Sequence, residues 1–198
     1  PYLMVVNLKV PATSVAQFIA MANAKPGEIN YASSGAGAST HLAGLLFCQM
    51  AHVDMVHIPY KGSGPATTEL LAGHVQMRFS SIPPVLPHVR SGRLRALAVT
   101  STKRFALVPE VPTVAETVPG FEVLSWYGVF APAGTPAPVI ARINAELNAL
   151  LKIAEVRDVL AKQGLDAAGG TPERFAERVR AEIPRWTRVV NAAGIKPD

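Results

Sequence analysis

A stretch rich in glycine and hydroxyl groups, YASSGAGASTHLAG, runs from Tyr31 to Gly44 and carries the residues best suited to chemistry. Gly35 and Gly37 permit a tight turn of the kind that exposes backbone N–H groups. Serine and threonine hydroxyls surround these glycines, and His41 follows them. Three kinds of site use such residues: a phosphate-binding loop, a serine–histidine catalytic site, or a cradle for another anion.

The spacing argues against a nucleotide or metal site. A dinucleotide fingerprint requires a third glycine three residues after the second, but Thr40 stands there. A Walker loop requires Gly-Lys in that order, whereas Lys61 precedes Gly62. The five histidines lack the paired spacing of a zinc site. The sequence therefore predicts no metal and no cofactor.

A serine hydrolase is the enzymatic alternative. The G-x-S-x-G elbow of such enzymes is absent. Ser39 and His41 are two residues apart, so on one helix they do not face each other. A catalytic pair would require Ser39 or Ser34 to lie near His41 or His57 in the fold. We predict a binding protein without catalytic residues and keep the hydrolase as the alternative.

An anion cradle is the remaining interpretation of the glycine turn. The turn leads from a predicted strand at 29–33 into a predicted helix at 38–51. A helix N-terminus presents unpaired N–H groups and the positive end of the helix dipole. No lysine or arginine lies in the turn, so the expected anion is a carboxylate held by neutral donors. An equally good interpretation at this point is that Ser39 or Thr40 only caps its own helix.

A second stretch, HIPYKGSGPATTELLAG, repeats this arrangement between His57 and Gly73. Gly62 and Gly64 follow the end of a predicted strand, and a helix is expected to start near Pro65. In a parallel sheet both loops lie at the carboxyl ends of the strands, where ligands bind. The two loops together therefore favour a binding cleft.

Alternating apolar and amphipathic segments predict an α/β fold with a parallel sheet. A proline-rich connection at 102–122, with a short helix at 114–117, separates the first part of the chain from the second. In the first part we expect strands at 3–8, 29–33, 54–60, 74–80 and 94–101, and helices at 13–27, 38–51, 64–73 and 83–92. In the second part we expect strands at 123–132 and 165–170, and helices at 135–152, 154–164 and 171–194.

The composition fits a globular protein, because 49% of the 198 residues are hydrophobic and 17% are charged. No apolar run approaches the roughly 20 residues that span a membrane. The formal net charge is +5, but the basic residues are dispersed and aromatic residues do not alternate with them. This distribution predicts no nucleic-acid partner.

A series of motifs resembles the Bug-type receptors, which are the extracytoplasmic solute-binding proteins of tripartite tricarboxylate transporters. The resemblance covers essentially the whole chain. The motifs are INYASSGAGASTHLAGLLF, VDMVHIPYKGSGPATTELLAGHVQMRF, RLRALAVTSTKR, VPTVAE, GFEVLSWYGVFAPAGTPAPVIARINAEL and GTPERFAERVRAEIPRWTRVVNAAGIKPD.

This resemblance implies a two-lobed, periplasmic-binding-protein-like (type II) α/β fold with one complete and one partial lobe. It assigns 1–11 to a hinge strand and 12–100 to the complete lobe, the second lobe of the family. It assigns 101–198 to the hinge return and the C-terminal part of the first lobe. A lobe without its N-terminal part should expose apolar helix faces, so we expect self-association through it. The effector lobe of a transcriptional regulator, which shares this topology, is a further alternative.

The resemblance also implies a function and a set of contacts. A small carboxylate would bind between the lobes and pass to the membrane components of a transporter. The protein would be periplasmic, with its signal peptide outside this chain. Where members of the family commonly have an acidic–amide pair, Ser80 and Ser81 follow Phe79 here. The expected ligand contacts are Ser34, Gly35, Gly37, Ser39, Thr40, His41, Tyr60, Gly64, Pro65, Ser80 and Trp126, the last on a strand that returns through the hinge.

Overall fold

A computed structural model describes residues 1–195, which form two compact units. Unit 1 comprises 1–125 together with the described residues 189–195, and unit 2 comprises 126–188. The proline-rich connection belongs to unit 1, where Phe105, Val108 and Val111 join the hydrophobic core. The assignment of 1–11, 12–100 and 101–198 to hinge and lobes is a different division and stays a prediction.

The predicted α/β class is confirmed, and unit 1 is built on a five-stranded sheet. Its strands lie in the order β3-β2-β4-β1-β5. The strands are β1 (Tyr2–Asn7), β2 (Ile29–Ser33), β3 (Met55–Pro59), β4 (Met77–Ser81) and β5 (Leu94–Val99). The helices between them are α1 (Val15–Ala24), α2 (Ser39–Ala51), α3 (Ser63–Ala72) and α4 (Ile82–Arg90), and a 3-10 helix follows at Val114–Glu116.

The prediction of a parallel sheet is wrong for one strand. β2 pairs in parallel with β3 and β4, whereas β1 runs antiparallel to both β4 and β5. Alternation of strands and helices along the chain does not fix the direction of β1, because its sheet neighbours are remote in sequence. The parallel part carries both glycine loops, so their expected placement at one edge of the sheet holds.

Helices cover both faces of this sheet. On one face, aromatic rings of α1, α2 and β4 pack together through Phe18, Phe47 and Phe79. On the other face, Ala66 and Leu70 of α3 join a cluster with residues of β1 and β2. The chain therefore passes from β2 to a helix on one face of the sheet and from β3 to a helix on the other face. Helices α2 and α3 both begin at the carboxyl ends of these strands.

Unit 2 contains only helices: α5 (Ala137–Leu150), α6 (Ala154–Lys162) and most of α7 (Pro172–Ala192). The strands predicted at 123–132 and 165–170 are wrong, since neither segment forms a strand. A strand requires hydrogen bonds to a neighbouring strand, and 126–188 contain no strand to pair with. The apolar pattern at 123–132 is therefore present without a sheet.

Two further findings concern the described residues 1–195. None of their helices is both long and apolar enough to cross a membrane. No cluster of three or more histidine, cysteine, aspartate or glutamate side chains there could hold a metal ion.

Candidate functional site

The loop between β2 and α2 presents unpaired backbone donors. Helix α2 has Ala38 at its N-cap, and no side chain caps it. The N–H groups of Ser39, Thr40 and His41 find no acceptor among the described residues. Such a terminus favours an anion through both its hydrogen bonds and its dipole. The interpretation that Ser39 or Thr40 merely caps the helix is therefore wrong.

Thr40 instead holds the loop together. Its Oγ1 accepts a hydrogen bond from the backbone N–H of Ser34 at 3.0 Å, and the two hydroxyl oxygens also lie 3.0 Å apart. The Thr40 side chain is buried. It fixes the start of the loop to the start of the helix.

Ser39 is exposed, and its hydroxyl is hydrogen-bonded to a residue that the sequence did not identify. The Tyr2 hydroxyl donates to Ser39 Oγ at 2.6 Å, which leaves the Ser39 proton available for a ligand. Tyr2 lies on β1, remote in sequence from the glycine turn. No local motif could have identified it, because only the sheet order brings β1 near α2.

Two histidines support the glycines. The Gly37 N–H donates to His41 Nδ1 at 3.0 Å, so this nitrogen is unprotonated. His57 Nε2 lies 2.6 Å from Ser33 Oγ, which in turn contacts the backbone of Gly35. Burial lowers the pKa of His41, and burial together with the neighbouring His41 lowers the pKa of His57 to about 4. Both rings are therefore neutral at pH 7.

The second glycine loop is bonded directly to the first. The N–H groups of Tyr60 and Gly62 donate to the carbonyls of Ser33 and Ser34, at 3.2 and 3.1 Å. Gly62 has a φ of 108°, which favours glycine, and no side chain caps α3. The first turn of α3 contains the exposed Gly64 and Pro65. The structure thus brings the two predicted loops together.

The remaining two expected contacts belong to neither loop. Ser80 is fully buried on β4, and its Oγ has no hydrogen-bond partner among the described residues. Trp126 belongs to unit 2, where its ring packs edge-on against Phe175 and Arg178 lies over it. Its predicted place on a strand is wrong, as described above, and its part in ligand binding stays a prediction.

The arrangement required by the hydrolase alternative is not formed among the described residues. The hydroxyl of Ser34 bonds to Thr40 and that of Ser39 bonds to Tyr2, so neither bonds to a histidine. Ser33 does contact a histidine ring, that of His57, but Ser33 is completely buried. A nucleophile must reach its substrate, and this hydroxyl does not.

The family model of the TctC proteins, described as "Tripartite tricarboxylate transporter family receptor", matches residues 1–195. The chain belongs to this family. The predicted resemblance to Bug-type receptors is thus confirmed, and the family is one of solute-binding receptors.

Two curated relatives are similar in sequence to almost all of this chain. A UPF0065 protein from the tcbD-tcbE intergenic region of Pseudomonas sp. strain P51 is 43% identical over 189 residues, which are 92% of this chain and 56% of the relative. BugT of Bordetella pertussis is 39% identical over 197 residues, which are 99% of this chain and 60% of the relative. The chain therefore spans somewhat more than half the length of these relatives.

Solved structures confirm the periplasmic-binding-protein fold. Rpa4515 of R. palustris, determined with adipate, matches the whole chain with a TM-score of 0.88 and 38% identity, over 67% of its own length. MatC from Rhodopseudomonas palustris, determined with malate, matches 96% of the chain with a TM-score of 0.80 and 32% identity, over 66% of its own length. The periplasmic binding protein BugD matches the whole chain with a TM-score of 0.83 and 28% identity, over 67% of its length.

Proposed function

We propose that this chain binds a small carboxylate solute and delivers it to the membrane components of a tripartite transporter. The main support is the uncapped start of α2. Three successive N–H groups there lack an acceptor among the described residues, and the exposed hydroxyl of Ser39 lies beside them. A carboxylate fits donors of this kind. We place the ligand in a cleft between lobes and the protein in the periplasm, as the family suggests.

The ligands of the solved relatives support this assignment. Adipate and malate are both small carboxylates, and they belong to neighbours that share the fold. Binding would draw its energy from preformed backbone donors and from closure of the lobes. No covalent chemistry is required, so we propose a receptor without catalytic residues.

The proposal is tested by calorimetry with a panel of dicarboxylates that includes adipate and malate. Ser39→Ala removes one hydroxyl that would bond a charged group, so it should weaken binding by about 1.5–3 kcal/mol. Gly37→Val should weaken it more, because Gly37 has a φ of 72° and a β-branched residue resists that conformation.

Two matched variants separate binding from stability. Ser91→Ala removes an exposed serine hydroxyl at the end of α4, and Gly92→Val places valine at a φ of 67° outside the two loops. Both should bind like the wild type. If Ser39→Ala and Gly37→Val also bind like the wild type while remaining folded, the β2–α2 loop is not the carboxylate site.

An ester-hydrolysis assay on the wild type and on Ser39→Ala tests the enzymatic alternative. We expect no turnover by either protein. Turnover that disappears in Ser39→Ala would contradict the receptor assignment and support a hydrolase.

A further inference from the structure

The side chain of Tyr2 lies inside unit 1, and its hydroxyl reaches the start of α2. The residue is only 4% exposed, and its hydroxyl oxygen lies 2.6 Å from Ser39 Oγ. A phenol is more acidic than an aliphatic hydroxyl, so Tyr2 is the donor and Ser39 the acceptor of this hydrogen bond. A buried residue of β1 thus contacts an exposed hydroxyl of the candidate site.

Thr100, which directly follows β5, holds the backbone of Tyr2 in place. The Tyr2 N–H donates to Thr100 Oγ1 at 2.8 Å, and the Thr100 N–H donates to the Tyr2 carbonyl at 2.9 Å. Thr100 is itself fixed, because its hydroxyl donates to the Val123 carbonyl at 2.6 Å and its carbonyl accepts from the Val123 N–H at 2.9 Å. Thr100 and Val123 are both buried. Tyr2 therefore has little freedom to change its position.

The bond from Tyr2 determines how the Ser39 hydroxyl can act. A serine hydroxyl carries one proton and two lone pairs, and Tyr2 occupies one of the lone pairs. The Ser39 proton therefore points away from the phenol, and none of the described residues accepts it. Accepting one hydrogen bond also polarises the Ser39 O–H group, which strengthens the bond that it donates. Because the hydroxyl is oriented in advance, less rotational freedom is lost when a ligand binds.

We propose that Tyr2 is a positioning residue of the binding site, which directs the Ser39 hydroxyl toward the ligand and strengthens its bond to an accepting atom there. This inference rests on the proposed function. Tyr2 does not touch the ligand and acts only through Ser39. Thr100 supports this role by fixing the Tyr2 backbone.

A double-mutant cycle, measured by calorimetry with adipate or with malate if only malate binds, tests whether Tyr2 acts through Ser39. Tyr2→Phe keeps the buried ring and removes only the hydroxyl, so the ligand should bind about three- to tenfold more weakly. In the Ser39→Ala protein the same change should alter the affinity by less than about twofold, because the group that Tyr2 positions is gone. A purely structural role of Tyr2 would instead weaken binding equally in both backgrounds.

Tyr31→Phe is the matched control, because Tyr31 on β2 is also a buried tyrosine but its hydroxyl has no hydrogen-bond partner among the described residues. It should bind the ligand like the wild type. Thr100→Val removes the hydroxyl that accepts from the Tyr2 N–H, so it should weaken binding when Ser39 is present and not in the Ser39→Ala protein. Thr100→Ser keeps that hydroxyl and should retain most of the affinity.

The outcomes separate this inference from the proposed function. A folded Tyr2→Phe protein that binds like the wild type, or an equal loss in both backgrounds, would overturn the role of Tyr2 and leave a carboxylate receptor standing. If Tyr2→Phe does not fold, the cycle of Thr100→Val with Ser39→Ala decides on the same terms. Failure of the wild type to bind any member of the dicarboxylate panel would remove both.

Discussion

The imidazole rings of His41 and His57 lie face to face, with their centroids 3.6 Å apart and their planes inclined by 10°. His41 comes from α2 and His57 from β3, so the stacked pair joins a helix to the sheet. Each ring also supports the glycine loop, His41 through Gly37 and His57 through Ser33. This arrangement disfavours protonation of both rings together, because two stacked cations would repel each other.

The first prediction concerns pH. The folded state lowers the pKa of both histidines below the ordinary value of 6.5. The unfolded chain therefore binds protons more readily as the pH falls, and stability should decrease between pH 6.5 and about 4. Thermal unfolding across this range measures the effect. His57→Gln should show a shallower decrease than the wild type.

His88→Gln, on α4, is the control and should follow the wild-type pH profile. A wild-type melting temperature that stays constant from pH 6.5 to 4 would contradict the prediction. So would an unchanged slope in a folded His57→Gln protein.

The second prediction concerns Gly44, which lies in the middle of α2 against the ring of Tyr31. A Cβ at Gly44 would overlap the Cε2 atom of that ring. Although alanine has the higher helix propensity, Gly44→Ala should lower the free energy of unfolding by about 1–3 kcal/mol through overpacking. Denaturant unfolding provides the measurement.

Gly64→Ala is the matched variant, since Gly64 also lies in a helix but a Cβ added there would have none of the described atoms beyond its own helix turn within 4 Å. Its free energy of unfolding should be unchanged or slightly higher than that of the wild type. Equal stabilities for Gly44→Ala and Gly64→Ala would show that the Tyr31 ring moves aside at no cost.

The third prediction concerns Thr40. Thr40→Val keeps the shape of the side chain but leaves the Ser34 N–H without its acceptor, which should cost about 1–3 kcal/mol of stability. Thr68→Val, at an exposed threonine on α3, should cost much less. Similar losses in the two variants would mean that Thr40 does not hold the loop.

The fourth prediction is self-association through unit 2. Tyr127 and Phe130 are 81% and 69% exposed, and Val129 between them is also exposed. Contiguous apolar surface of this kind favours association. Light scattering should show oligomers whose fraction rises with concentration, and Phe130→Ser should reduce it. A monomer at all concentrations would contradict the prediction.

The sequence predicted unit 1 better than unit 2, and for a physical reason. Several elements of the first hundred residues are bounded by local signals, such as Ser14, which caps α1, and Gly73, which ends α3. The segment at 123–132 has the apolar pattern of a strand, but a strand also depends on a partner that no local pattern supplies. The direction of β1 was missed because its partners are remote.

Prediction of the candidate site from the sequence is limited in the same way. Gly35, Gly37 and the two loops could be predicted, because turn residues between a strand and a helix are a local signal. Tyr2 could not be predicted, because it contacts the loop only through the order of strands in the sheet. The stacking of His41 on His57 likewise depends on which helix covers which strand.

The position of β1 inside the sheet, between β4 and β5, constrains the order in which the chain can fold. All six of its residues are buried, and they pair only with β4 and β5, which lie about seventy or more residues further along the chain. During synthesis β1 therefore leaves the ribosome well before either partner strand exists. Contacts this distant in sequence slow folding, so the newly made β1 segment must remain unpaired, and open to chaperones or export machinery, until β4 has emerged, and one of its sides stays unpaired until β5 follows.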